Sequence, residues 1–172
     1  NTLVKSHSTI SNTIINHDCK VGGEVHSCIF QPYSNKSHEG FLGHSFIGSW
    51  ANLGAGTTTS NLKNNYSSIK VKWSGELVDT GSIFFGSIIG EHVKTAIGTN
   101  LNTGTVIELG CNIVSQTFPP RHIPAFSLFY KNKVIKTKFE DFCDVAEKAM
   151  KRRKKELSSS EKSILNSIYK NY

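Results

Sequence analysis

The chain has 172 residues and a formal net charge of +7, with 37 % hydrophobic and 19 % charged residues. These values describe a domain-sized globular chain that can bury a core, and no run of about 18 apolar residues is present to form a membrane helix. The chain begins with Asn1 rather than Met, so we expect it to be a fragment of a longer protein.

The clearest repeat pairs a branched aliphatic residue with glycine. Ile47-Gly48 and Leu53-Gly54 are six residues apart, and the pattern returns at Ile97-Gly98 and Leu109-Gly110, with a weaker version over residues 1–30. This spacing is typical of a hexapeptide β-helix, in which each repeat is one short strand and one turn. Because the interior of such a prism is filled by its aliphatic side chains, chemistry must take place on its outer walls.

The repeat is interrupted over residues 61–81. Asparagines near its start favour a turn, since Asn tolerates positive φ, and an alternating stretch from Ser68 to Val78 contains Ser74-Gly75, which predicts a hairpin turn. We interpret residues 61–81 as a loop or arm that projects from one corner of the β-helix. The β-helix itself is predicted to cover residues 1–130.

A helical tail is predicted over residues 131–172, on the outside of the β-helix. Thr137 with Glu140 and Ser158 with Glu161 each fit a capping box at a helix start. The tail carries 12 of the 20 Lys and Arg residues. Its run 151–155 is interpreted as a solvated helix end, where cations oppose the helix dipole; binding to nucleic acid or another anionic surface is the alternative.

The four cysteines do not form a Cys-x-x-Cys pair. This spacing argues against a zinc site or a redox pair, and no metal is expected. We therefore predict reduced thiols in a cytoplasmic protein.

Four ordered segments carry a specific resemblance. They read Tyr-Ser-Asn-Lys-Ser-His-Glu-Gly-Phe-Leu-Gly at 33–43, Ser-Asn-Leu-Lys-Asn-Asn-Tyr at 60–66, Asn-Thr-Gly-Thr-Val at 102–106 and Phe-Pro-Pro-Arg-His-Ile-Pro-Ala-Phe at 118–126. Together with Asn-Leu-Gly-Ala-Gly-Thr at 52–57, they resemble the C-terminal acyltransferase domain of the bifunctional N-acetylglucosamine-1-phosphate uridylyltransferase/glucosamine-1-phosphate acetyltransferase family, and most closely the sugar-nucleotidyltransferase-like proteins of that family.

The resemblance implies a left-handed parallel β-helix and a homotrimer with its sites in clefts between subunits. It implies acetyl transfer from acetyl-CoA to an amino-sugar phosphate in nucleotide-sugar synthesis. It also implies an N-terminal nucleotidyltransferase domain in the parent protein, which this chain lacks. No nucleic-acid or membrane partner is expected.

His38 matches the catalytic histidine of the family. A neutral imidazole can take the proton of the attacking amine near pH 7, although a loop histidine that bonds only to backbone would look the same in sequence. Ala55 and Thr99 match small residues that contact CoA in the family. Their alternative explanation is the tight packing of adjacent coils.

Asn61 matches the family's substrate asparagine, with a turn position as the alternative, and the tyrosine that follows it in the family is Leu62 here. Tyr66 is expected to take its place. Cations for a sugar phosphate are expected from lysines around the site. These lysines are Lys36, Lys63 and Lys70.

A second hypothesis makes the β-helix a non-catalytic trimerisation and regulatory scaffold for the nucleotidyltransferase domain. Leu62, and the absence of two expected cations, favour this hypothesis. His38 and Asn61 favour the enzyme.

Overall fold

The computed structural model describes residues 1–172 and contains three walls of short strands followed by two helices. The chain passes from the first wall to the second and third and then returns to the first. All neighbouring strands within the walls are parallel until the last hairpin. The fold is a left-handed parallel β-helix with a C-terminal helical tail, as the sequence predicted.

The first wall, which we call the lysine–asparagine face, is an eight-stranded sheet. Its outward side chains include Lys20, Asn35, Asn52 and Lys94, which occupy matching positions on neighbouring strands. Its strands are Leu3–Val4, Lys20–Val21, Asn35–Lys36, Asn52–Leu53, Lys94–Thr95, Asn112–Val114, Ser127–Tyr130 and Lys133–Lys136.

The second wall that the chain enters is divided into two small sheets, and we call this wall the third face. Its strands are Thr9–Ser11, Glu24–His26, Phe41–Gly43, Thr58–Thr59 and Asn100–Leu101. The last wall, the apolar face, is a six-stranded sheet whose outward residues include Ile14, Ile29 and Phe46. Its strands are Ile14–Ile15, Ile29–Phe30, Phe46–Ile47, Ser87–Ile89, Thr105–Ile107 and His122–Ile123.

The interior is formed by alternate strand residues, since successive side chains of a strand point to opposite sides. Ile47, Leu53 and Thr59 lie six residues apart on three successive strands, and all three are buried. Seventeen buried side chains form one continuous core along the axis. The prism is therefore filled, and its surface is all that remains for binding.

The corner between the apolar and lysine–asparagine faces turns through one residue with positive φ in each coil. Asp18, Tyr33, Trp50, His92, Gly110 and Phe126 occupy this position. Several of these residues are aromatic, and Tyr33 and Trp50 stack with parallel rings whose centroids are 4.2 Å apart. We call this row the aromatic corner.

The interruption after residue 60 contains the predicted hairpin. Strands Lys70–Trp73 and Glu76–Asp79 pair antiparallel around Ser74-Gly75, whose φ angles are 48° and 84°. The hairpin does not project freely, because Ile69 and Val71 are buried and the Lys70 carbonyl packs against Gly104. It lies instead along the apolar face.

The tail begins with a strand rather than a helix. Lys133–Lys136 pairs antiparallel with Ser127–Tyr130, and helices α1 (Phe139–Lys151) and α2 (Ser159–Lys170) follow. Neither helix is long and apolar enough to cross a membrane.

The two predicted capping boxes have different outcomes. The box of Ser158 and Glu161 is confirmed at the start of α2. The box of Thr137 and Glu140 is wrong, because the N-cap of α1 is Lys138 and no side chain caps it. The Thr137 N–H instead donates to the Phe126 carbonyl at 2.7 Å and closes the hairpin.

Helix α1 packs along the aromatic corner. Phe142 meets the ring of His92 at a centroid distance of 5.6 Å, and Phe126 packs against Phe139. Arg153, just beyond the helix, donates to Asn35 Oδ1 at 3.0 Å. The tail therefore runs back from the last coil to the early coils.

Candidate functional site

His38 lies at the corner between the lysine–asparagine face and the third face. Turns 37–40, 54–56 and 96–98 stack there, and we call this row of turns the His38 edge. The Gly56 N–H donates to the Glu39 carbonyl at 3.1 Å, and the Gly98 N–H donates to the Ala55 carbonyl at 2.7 Å. His38 itself is exposed. The structure thus places His38 and Ala55 on adjacent coils of one edge.

Gly40 makes this close stacking of turns possible. Its φ is +113°, and a Cβ at this position would lie 2.2 Å from the Thr57 carbonyl oxygen. Any other residue would push the turn of His38 away from the coil below it.

Lys36 supports the turn of His38 from inside the prism. Its side chain is 1 % exposed, and its Nζ donates to the carbonyls of His38 at 2.6 Å and Gly22 at 3.0 Å. Burial lowers the pKa of Lys36 to about 8, partly opposed by the charge of Glu39. The prediction that Lys36 binds a substrate phosphate needs correction, because its ammonium group is buried and committed to backbone carbonyls.

Two threonines support the next turn in the same way. Thr57 Oγ1 and Thr95 Oγ1 are 2.7 Å apart in the interior, and the Gly54 N–H donates to Thr95 Oγ1 at 3.0 Å. Both threonines are buried. Polar groups therefore enter the core directly beneath the His38 edge.

The two residues predicted to contact CoA are placed differently. Ala55 is half-buried at the edge, and its N–H makes no hydrogen bond within the chain. Thr99 is 1 % exposed, and its hydroxyl donates to the Ala96 carbonyl at 2.8 Å. Thr99 thus presents no side chain at the surface, where Ile97, 76 % exposed, occupies the edge instead.

A groove of about 340 Å³ lies beside His38 on the lysine–asparagine face. We call it the basic groove. Eleven residues line it, and none of them is acidic. The basic ones are Lys20, His38, Lys94, Arg152 and Arg153, with the amides of Asn35 and Asn52 between them. The sequence indicated neither the groove nor the contribution of the tail.

Contacts within the groove fix several of its polar groups. Arg153 Nη2 donates to Asn35 Oδ1 at 3.0 Å, and Asn35 Nδ2 donates to Asn52 Oδ1 at 3.2 Å. The ammonium of Lys94 donates to the His92 carbonyl at 3.1 Å, and burial lowers the pKa of Lys94. The far wall is the aromatic corner, where Tyr33 and Trp50 stack.

Asn61 lies at the opposite end of strand Phe41–Gly43 from His38. Its Nδ2 contacts His44 Nδ1 at 2.9 Å, so the amide donates and the imidazole nitrogen accepts. Desolvation, and then the neighbouring His26, lower the pKa of His44, which favours this neutral form. Within one chain, therefore, Asn61 and His38 do not meet.

The remaining predicted site residues belong to the interrupting segment. Lys63 Nζ donates to Ser67 Oγ at 3.3 Å and to the Ser68 carbonyl. Tyr66 is exposed with a φ of 54°, and Lys70 sits opposite Asp79 in the hairpin. The structure does not bring these side chains to His38. No cluster of three His, Cys, Asp or Glu side chains is arranged to hold a metal ion.

The fold, a left-handed parallel β-helix, is the class of structure that the sequence resemblance implied. No family model matches the chain. The chain is 32 % identical over 97 residues to a bifunctional sugar-1-phosphate nucleotidylyltransferase/acetyltransferase of Sulfurisphaera tokodaii, which covers 55 % of this chain and 24 % of the relative.

Two archaeal proteins named bifunctional protein GlmU are also similar. That of Methanococcus aeolicus is 31 % identical over 131 residues, covering 74 % of this chain and 32 % of the relative. That of Methanococcus vannielii is 30 % identical over 122 residues, covering 70 % and 29 % respectively. The chain spans between about a quarter and a third of the length of these relatives. It resembles the C-terminal β-helix domain of this bifunctional family.

Proposed function

We propose that this β-helix transfers an acetyl group from acetyl-CoA to the amino group of an amino-sugar phosphate, with His38 as the general base. The relatives that the chain matches include one named as a sugar-1-phosphate nucleotidylyltransferase/acetyltransferase. In this proposal the chain is the acetyltransferase part of a longer protein, preceded by a nucleotidyltransferase domain that makes the nucleotide sugar.

The observation that carries the proposal is the position of His38. Its imidazole is exposed on a turn that is hydrogen-bonded to the Ala55 turn below it and anchored from inside by Lys36. A general base is effective when its support prevents it from drifting relative to the substrate. The buried Lys36 thus fixes the backbone of the turn that carries His38.

The proposed reaction forms one bond and breaks another. The amine nitrogen of the sugar attacks the thioester carbonyl, His38 takes a proton from that nitrogen, and CoA leaves as the thiolate when the C–S bond breaks. The free N–H of Ala55 is a candidate donor to the oxygen that becomes negative in the tetrahedral intermediate. Acetyl-CoA is a substrate here, and nothing else is consumed.

We also propose that the protein is a homotrimer. The apolar face exposes Ile14 at 61 %, Ile29 at 41 % and Phe46 at 37 % in one row. A row of this kind on a soluble wall is typical of an interface, and burying it between copies would bring one copy's Asn61 corner towards another copy. The same row supports the second candidate function, a trimerisation scaffold without catalysis.

We place the protein in the cytoplasm within this proposal. Its four cysteines are free thiols and all are buried, as is usual in a reducing compartment. Acetyl-CoA as donor suits the same compartment.

The test is release of free thiol from acetyl-CoA with glucosamine 1-phosphate or galactosamine 1-phosphate as acceptor. Wild type should turn over, and His38→Ala should lower kcat by a factor of about 10² to 10⁴, the usual contribution of a general base. His17→Ala is the matched control, because His17 is also exposed but lies at another corner.

Absence of thiol release by the wild type with both acceptors would overturn catalysis and leave the scaffold. A similar loss of activity in His38→Ala and His17→Ala would overturn the role of His38.

A further inference from the structure

We infer that the basic groove is a binding site for a phosphate group, built jointly by the β-helix and the helical tail. The inference deepens the proposed function, on which the choice of ligands rests. The site itself can be measured without turnover, so its failure and the failure of acetyl transfer are distinguishable.

The groove is lined by basic side chains without an acidic one. Lys20 and Lys94 come from the strands, Arg152 and Arg153 from the end of α1, and His38 from the opposite edge, and no carboxylate lines the groove. Cations without a neutralising acid raise the local concentration of anions. Elsewhere in the tail, lysines have acidic neighbours: Lys148 pairs with Asp144, and Lys162 pairs with Glu147.

Preorganisation is the second argument. Arg153 donates to Asn35, which lies 118 residues away in the sequence. Asn35 in turn donates to Asn52. A guanidinium fixed by one hydrogen bond keeps its other N–H groups for a ligand, and such groups match phosphate oxygens well. A solvated helix end would not need this contact.

The floor of the groove is formed by regularly spaced outward residues of the lysine–asparagine face. Lys20, Asn35, Asn52 and Lys94 follow one another across neighbouring strands. Strands lie about 4.8 Å apart, so the two lysines stand roughly 14 Å from each other with amides between them. This arrangement fits a small elongated ligand with a phosphate at one end and hydrogen-bonding groups in its middle.

The basic run 151–155 divides into parts with different surroundings. Arg152 and Arg153 line the groove, whereas Lys151 and Lys154 line a separate depression with Glu147 and Glu156. A non-specific polyanion would use the whole run, because it follows charge density and not position. The groove uses only two of its five side chains.

Two sources could supply the phosphate: the ester of the acceptor sugar or the phosphates of CoA. Calorimetric titration of the 172-residue chain distinguishes them. Glucosamine 1-phosphate is compared with glucosamine, and 4′-phosphopantetheine, the phosphorylated arm of CoA, with pantetheine, in each case at fixed ionic strength. The variants are Arg153→Gln and, from the β-helix, Lys94→Gln. Lys154→Gln is the matched control, since it removes the same charge one residue away but outside the groove.

We expect at least one phosphorylated ligand to bind more tightly than its phosphate-free partner. Arg153→Gln and Lys94→Gln should each weaken that ligand by about tenfold or more, as loss of a charge-assisted bond does, while Lys154→Gln changes it less than twofold. The ligand that responds identifies the source of the phosphate. The melting temperature of each variant verifies that it folds.

Equal weakening by Arg153→Gln and Lys154→Gln would overturn the inference, because the effect would then come from net charge alone. So would equal affinities for the phosphorylated and phosphate-free ligands. Tighter binding of a single-stranded 12-nucleotide DNA, with the same loss in Arg153→Gln and Lys154→Gln, would assign the run to nucleic acid instead. If binding behaves as expected but no acetyl transfer occurs, the groove stands and the proposed reaction does not.

Discussion

The lysine–asparagine face and the apolar face are built on the same coils but differ in what they show to solvent. One directs Lys20, Asn35, Asn52 and Lys94 outward, and the other exposes Ile14, Ile29 and Phe46. Because strand side chains alternate, the outward set can change without altering the core. In this fold, therefore, the outward residues of each wall determine what that wall can bind, and they can differ from one wall to the next.

The inward residues differ between the two walls as well. The apolar face has only hydrophobic side chains in this column: Ile15, Phe30, Ile47, Ile89, Ile107 and Ile123. The lysine–asparagine face has Lys36 and Thr95 in the corresponding column, and both bond to turns of the His38 edge. In this column, Lys36 and Thr95 are the polar side chains, and each holds a turn beside the groove.

The largest expected effect is the loss of the trimer when the apolar face is given a charge. Phe46→Glu places a charge in the apolar row and should convert a trimer to monomers, because a desolvated unpaired charge is costly. Asn52→Glu makes the same change on the other wall and should leave the trimer intact. Light scattering after size-exclusion chromatography measures both masses. A monomeric wild type would remove the basis for the comparison.

The next prediction concerns the charge in the inner column. The pKa of Lys36 is lowered to about 8 in the folded protein, against about 10.4 when unfolded. Between these pH values the unfolded chain holds more protons, so the free energy of unfolding contributed by Lys36 rises with pH.

Lys36→Met removes this dependence. The stability of wild type relative to the variant should therefore increase by on the order of 3 kcal/mol between pH 7.5 and 10.5. Urea unfolding at three pH values measures the increase. Parallel pH profiles for the two proteins would contradict the buried position of the ammonium group.

The smallest predicted effect sharpens the view of the polar core. Thr95→Val leaves the Thr57 hydroxyl without its partner and should lower the free energy of unfolding by about 1–3 kcal/mol. The double variant Thr57→Val/Thr95→Val should recover most of this loss, since both partners are then apolar. Chemical denaturation of the two single variants and the double variant gives the coupling energy. Additive losses would show that the two hydroxyls act independently.

The sequence predicted the parts of the fold that depend on local spacing. The distance of six residues from Ile47 to Leu53 predicted the β-helix, Ser74-Gly75 predicted the hairpin, and Ser158 with Glu161 predicted the start of α2. Each of these signals is contained within a short segment. The failed box at Thr137 shows the limit, since a backbone contact with Phe126 displaced the helix start by one residue.

The site was less accessible to the same reasoning. Lys36 precedes Leu42 by six residues, so the period itself placed it on an inward position, but a lysine was expected at the surface. The basic groove could not be predicted, because Arg153 meets Asn35 only after the tail folds back. The roles of His38, Asn61, Lys63 and Tyr66 in catalysis or binding stay predictions.

The course of α1 along the aromatic corner links two lengths in the molecule. Its 13 residues rise 1.5 Å each, or about 20 Å, and four coil spacings from Phe126 to Tyr33 amount to about 19 Å. The length of α1 therefore determines that Arg153 lies beside the coil of Asn35.

Growth of this protein by repeat duplication is consequently constrained. One extra coil between Asn35 and Phe126 would shift the tail by about 4.8 Å, and about three helical residues would have to be added to restore the alignment. Coil number and helix length should therefore change together, or not at all, in any descendant that keeps the groove.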